Sequence, residues 1–157
     1  MEENKYDFTL KFGYEKGKTP EILIKQNNGV SQILWYRNVF WNALNDPQKA
    51  RWKESNMAFF IECERVLYNH LVEKYIENID SNLNRLKKKE KVDNDTDLRK
   101  VFAVVTKAKL GLSYDDIFKK KNLKNIKKAN TFLIEILKKK RYRHVSVFNE
   151  EIKFYLI

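Results

Sequence analysis

Four glycines and two prolines in 157 residues leave this chain few places to turn sharply. So little backbone punctuation favours long continuous elements, and helix above all. A chain of 157 residues holds one domain with a real core, or two small ones. Apolar residues make up 43% of it and aromatics 13%, which is too apolar for a disordered tail.

The N-terminal stretch is the exception to the helical expectation. Phe8, Leu10, Phe12 and Tyr14 alternate with Asp7, Thr9 and Lys11, the period of a half-buried strand. Glu15 to Lys18 reads as a turn and Glu21 to Gln26 as a second strand. Asn27-Asn28-Gly29 is a turn signal, because Asn and Gly tolerate positive φ at little cost. Val30 to Tyr36 reads as a third strand or as the entry to a helix. Trp35, Tyr36, Phe40 and Trp41 crowd this segment, and their first reading is packing between sheet and helix. Asp46 and Pro47 then open a long helix as cap and first residue. Phe60, Cys63, Leu67, Leu71 and Tyr75 step along one face of it, which is expected to lie on the sheet and to end near Asn78. Residues 80–96 are almost wholly polar and read as a linker.

Beyond Asp95 the helical period returns. Leu98, Val101, Phe102 and Val105 form one face, and Gly111 is a stop. Ser113 caps a second helix with Asp115 and Asp116 in its first turn. Ile126, Ala129, Leu133, Ile136 and Leu137 line a third. Arg143 to Phe148 and Ile152 to Leu156 bracket Asn149-Glu150-Glu151 as a closing hairpin. The expected fold class is therefore α+β: a small N-terminal antiparallel sheet packed on a long helix (1–79), a linker (80–96) and a three-helix module (97–157).

Charge divides the chain as sharply as pattern does. Residues 1–95 carry 16 Lys+Arg and 15 Asp+Glu; residues 96–157 carry 16 and 6. The net charge of +11 thus falls almost entirely on the C-terminal part, which points to a polyanionic partner there. With 25 Lys, 16 Asn and 12 Ile, the chain has the codon signature of an AT-rich genome, compatible with a virus or mobile element. Such a bias acts on the whole chain and leaves the asymmetry unexplained.

The succession helix, helix, turn, helix and hairpin resembles a winged helix-turn-helix domain over about residues 96–157. The stretch LSYDDIFKKKNLKNIKKANTFLIEILKKKRYRHVSV looks like its second helix, turn, third helix and first wing strand. Two glycines usual in that pattern are missing, one in the turn and one before the wing. The resemblance implies that the third helix reads duplex DNA from its N-terminal part. Lys124, Asn125, Lys127, Lys128, Asn130 and Thr131 stand there. Asn suits a base edge, and Lys suits phosphate. Lys138, Lys139, Lys140, Arg141 and Arg143 at the wing base would hold the backbone.

Little else in the chain carries chemistry. His70, His144 and the single Cys63 cannot build a standard zinc site, and no Gly-rich phosphate loop is present. One cysteine excludes an intrachain disulfide and fits a reducing compartment. No apolar run approaches the ~18 residues of a membrane span, and Met1 to Lys5 contains no apolar signal segment. A cytoplasmic or nuclear protein without a cofactor or metal is the expectation. The leading functional expectation is a non-enzymatic nucleic-acid-binding protein, duplex DNA favoured, acting in transcription or replication control. Its N-terminal part would form a homodimer or hold a partner. The alternative is an inhibitor or accessory factor of a nucleic-acid-processing machine, anchored by Trp35, Tyr36, Trp41 and Trp52. The third is a metal-dependent nuclease built on Glu151 and Lys153, or on Glu15 with Lys16 and Lys18.

Overall fold

The computed structural model describes residues 6–90 and 95–138. Six α-helices occur there: α1 (Pro20–Ile24), α2 (Gly29–Leu44), α3 (Lys53–Glu90), α4 (Leu98–Leu110), α5 (Tyr114–Phe118) and α6 (Leu123–Lys138). A 3-10 turn, Pro47–Trp52, precedes α3. Helix accounts for 77% of the described residues and no strand occurs among them, so this part of the chain is mainly helical. The expected N-terminal sheet is not formed there. The expected wing hairpin, residues 143–156, lies outside the described residues.

Each mistaken strand has a physical reason. Residues 6–14 form a loop pinned at one point: Leu10 N–H donates to Lys18 C=O at 2.9 Å and Gly17 N–H to Leu10 C=O at 2.9 Å. Positive φ at Phe8, Gly13 and Gly17 bends the chain too often for a pleat. The alternation reports burial instead. Leu10 is buried, Phe8 meets Phe59 edge-on at 5.5 Å, and Phe12 meets Tyr36 and Phe40. Tyr14, at the end of the same alternation, is fully exposed. Glu21 to Ile24 is helical because Thr19 accepts a hydrogen bond from Ile22 N–H and Pro20 takes the first helical position, and Lys25 and Gln26 follow as a turn. Val30 to Tyr36 belongs to α2, whose buried residues Gly29, Ile33, Tyr36, Phe40 and Ala43 keep a helical period.

Two compact units divide the chain, Met1–His70 and Leu71–Ile157, and α3 passes from one into the other. In the first unit, Leu23, Ile33, Tyr36, Phe40, Phe59 and Cys63 form a largely aromatic core, with Phe40 and Phe59 rings 5.0 Å apart. The Tyr36 hydroxyl donates to Phe12 C=O at 2.8 Å and accepts from Glu15 N–H at 3.2 Å, so its burial leaves no polar atom unpaired. Gly29 lets α2 begin directly on the end of α1. A Cβ there would lie 2.3 Å from Leu23 C=O. Arg65 on α3 ties this unit together at its surface, pairing with Glu62 and, from α1, Glu21, both at 2.5 Å.

Asp46 caps the 3-10 turn, accepting from Gln48 N–H at 2.9 Å, and α3 starts only at Lys53. The helix then continues beyond Asn78 to Glu90. Residues 80–90 are therefore helix, and residues 71–79 belong to the second unit. The low apolar content of 80–90 misleads because one narrow stripe is enough to hold a helix down. Ile79, Leu83 and Leu86 supply that stripe, and all three are buried. They pack with Val101, Phe102 and Val105 of α4, Ile117 of α5, and Ile126, Ala129 and Leu133 of α6.

The helix ends in this second unit are capped by short polar side chains. Asp97 accepts from Lys100 N–H at the start of α4, and Gly111 closes α4 in the left-handed conformation at φ 73°. Ser113 and Asp116 form a reciprocal capping box on α5, at 3.2 and 2.9 Å. Thr106 is fully buried and its hydroxyl lies 3.0 Å from Ala103 C=O and 3.1 Å from Leu112 C=O.

Candidate nucleic-acid interface

Helices α5 and α6 are joined by Lys119, Lys120, Lys121 and Asn122. No glycine is available to reverse the chain, and Lys121 takes the left-handed conformation itself, at φ 52°. Asn122 starts α6: its side chain accepts from Asn125 N–H at 3.3 Å and its C=O from Ile126 N–H at 3.1 Å. The buried face of α6 carries Ile126, Ala129, Asn130, Leu133 and Ile136. The opposite face turns Lys124, Lys127, Lys128, Thr131, Glu135 and Lys138 to solvent.

Not every sequence-selected residue is on that outer face. Asn130 is only 5% exposed, and its side-chain oxygen accepts from Asn82 of α3 at 3.4 Å. It braces α6 against α3 and cannot present its amide to a base edge. Asn125 is half-buried. Lys127 leans toward α3, with its ammonium 5.5 Å from the centre of the Tyr75 ring, a cation–π arrangement. Lys124, Lys128, Thr131 and Lys138 stand clear on the exposed side. Lys139, Lys140, Arg141 and Arg143 lie outside the described residues, as do His144, Glu151 and Lys153.

Acidic neighbours remove several cations from the pool available to a partner. Arg99 makes a two-pronged pair with Asp80 of α3, Nε to Oδ1 at 2.7 Å and Nη2 to Oδ2. Hydrogen bonding to Asp80 raises the guanidinium pKa still further. Lys120 pairs tightly with Asp116 at 2.8 Å, whereas Lys119 makes only a loose, exposed pair with Asp115 at 3.7 Å. Lys120 and the Ser113 cap hold the Asp116 carboxyl well below the usual carboxylate range. Among the described residues, no acid pairs with Lys124, Lys127, Lys128 or Lys138. On α6, Lys124, Lys128 and Lys138 are thus left without an acidic or aromatic partner among the described residues.

The aromatic alternative is split by the structure. Tyr36 is buried and bonded, so it belongs to the core. Trp35, Trp41 and Trp52 are about half exposed, at 49%, 51% and 46%. Neighbours within the unit cover the rest of each ring. Trp35 meets Tyr36 edge-on at 4.9 Å, Trp41 lies 5.2 Å from Phe60, and the Arg51 guanidinium covers Trp52 at 3.8 Å.

The described residues contain no group of three or more His, Cys, Asp or Glu placed to hold a metal ion. Burial pushes the Cys63 thiol up to about 12, with Glu62 and Glu64 adding to the effect. Glu15 is ion-paired with Lys18 at 2.6 Å. No described helix is long and apolar enough to cross a membrane. Comparison with protein-family models, curated proteins and solved structures finds no match.

Proposed function

We propose that this chain binds duplex DNA without catalysing a reaction on it, through the outer face of α6. The observation that carries this reading is the set of four lysines on that face, free of acidic partners among the described residues, against the single acid Glu135. An unneutralised row of ammonium groups costs stability by self-repulsion, and phosphate relieves that cost. The order and packing of α4, α5 and α6 support a helix-turn-helix arrangement, with α6 as the element offered to the major groove. Transcription control and replication control are both consistent with such a module. Without Asn130, the reading depends on backbone contacts more than on base contacts. Thr131, in the middle of α6, is the uncharged polar residue on its exposed face.

Fluorescence anisotropy with the full chain and a labelled duplex tests this. Each lysine touching phosphate contributes about 0.9 to the slope of log affinity against log salt. Lys124→Ala or Lys128→Ala lowers that slope by roughly one. Charge reversal of both abolishes binding while the thermal melt is unchanged. Asn130→Ala leaves sequence discrimination intact. Absence of duplex binding by the wild-type chain at low salt rejects the proposal.

A protein-binding role through the first unit is favoured by a different observation, the half-exposure of Trp35, Trp41 and Trp52. Tryptophan dominates interface hot spots. Sedimentation across a concentration series tests its simplest form, self-association through these rings. Trp41→Ala would then shift dimer to monomer.

A further inference from the structure

Helix α4 has a second side that the core does not use. Val104 and Ala108 are its exposed apolar residues, the buried Ala103 lies beside them, and Tyr114 of α5 also lines the groove. Together they line an open groove of about 850 Å³ within the second unit. Three of its lining residues are lysines, Lys100, Lys107 and Lys119, and none is acidic. Lys107 has no acidic partner among the described residues, while Lys100 and Lys119 make only loose, exposed pairs, at 4.0 and 3.7 Å.

We propose that this groove docks an acidic amphipathic helix of a protein partner. Lys100 and Lys107 are seven residues apart on α4, which is about 10 Å along the helix axis. A ligand with one charged head satisfies only one end of such a strip. A helix with carboxylates two turns apart satisfies both, while its apolar residues cover the exposed Val104 and Ala108. Phosphate backbone fits poorly here, because it would have to lie on the apolar strip. The lysines of α6, by contrast, have no such strip between them. The proposal does not rest on the DNA-binding reading and concerns a different face.

The probe is a fluorescein-labelled peptide of about 14 residues, four helical turns, with Leu on one face and Glu flanking it. It is titrated with the full chain and followed by anisotropy. The expected result is saturable binding that Lys100→Glu with Lys107→Glu weakens by at least about tenfold. Val104→Glu does the same. Lys124→Glu with Lys128→Glu leaves it unchanged, which separates this site from the proposed DNA face. A peptide carrying Lys in place of Glu does not bind. Melts of each variant establish that the fold is kept.

Equal binding of the Glu and Lys peptides overturns the proposal, as does indifference to the Lys100 and Lys107 reversals. Saturable binding of dodecanoate without binding of the peptide assigns the groove to a single-headed amphiphile instead. Self-association abolished by Val104→Glu, again without peptide binding, assigns it to a second copy. Peptide binding seen only after removal of residues 139–157 assigns it to the chain's own C-terminal segment.

Discussion

The two units solve the same packing problem with different side chains. The first, residues 1–70, is built on stacked and edge-on rings and carries 10 Lys+Arg against 9 Asp+Glu. The second, residues 71–157, has one aromatic among its fully buried core residues, Phe102, and carries 22 Lys+Arg against 12 Asp+Glu. Large rings fill a core with few residues, but they also spill onto the surface. Trp35, Trp41 and Trp52 are each partly inside and partly wet. Aliphatic side chains on regular helices separate inside from outside cleanly, and the outer positions are left to lysine. The contrast suggests that contacts of the first unit would be apolar and insensitive to salt. Those of the second would be electrostatic and salt-dependent.

The largest effect that sharpens this contrast is expected at the second core. Phe102→Ala empties a fully buried site and costs about 4 kcal/mol in chemical denaturation. In the first unit the matching weak point is a glycine. Gly29→Ala drives a methyl group into the Leu23 and Ile24 carbonyls and costs about 3 kcal/mol, because backbone cannot move aside as a side chain can. Trp41→Ala should cost only about 1 kcal/mol, since half the ring is already in water and the Phe60 contact is the main loss. A cost near that of Phe102→Ala would place Trp41 in the core and break the contrast.

The smallest effect is a pH dependence read at Asp116 of the second unit. The Asp116 carboxyl is lowered in the folded state, so its stabilising contribution is present above the unfolded carboxylate pKa of about 3.9. It is lost as pH falls below that toward the folded value. Melting temperatures taken from about pH 5 down to about pH 2 should therefore fall less steeply for Asp116→Asn than for the wild type.

Much of this was legible in the sequence. Gly111 and Ser113 mark helix ends where they are found, and the apolar spacing of 98–105 and 126–137 locates α4 and α6. The failures have causes. Aromatic alternation over 8–12 is the same whether a strand or a bent loop tucks every second side chain inward. Thr19-Pro20, a cap followed by a first helical residue, is the signal for α1 that the strand reading of 21–26 missed, because Ile22 and Ile24 favour strand. Asn130 was legible too: with Ile126, Ala129 and Leu133 pointing inward, position 130 must point inward with them. Lys121 in the left-handed conformation was not, because nothing in a lysine announces it.

The continuity of α3 decides how the protein can be taken apart. Its polar final third invites a cut, yet Val72, Ile79, Leu83 and Leu86 are core residues of the basic unit. A fragment beginning at residue 97 would leave α4, α5 and α6 without one wall. A fragment beginning at the boundary of the compact units, residue 71, would sever a hydrogen-bonded helix in its middle. Neither end is a natural terminus. The basic region is therefore not a transplantable cassette, and gene fusions or rearrangements that move it intact must carry a length of α3 with it.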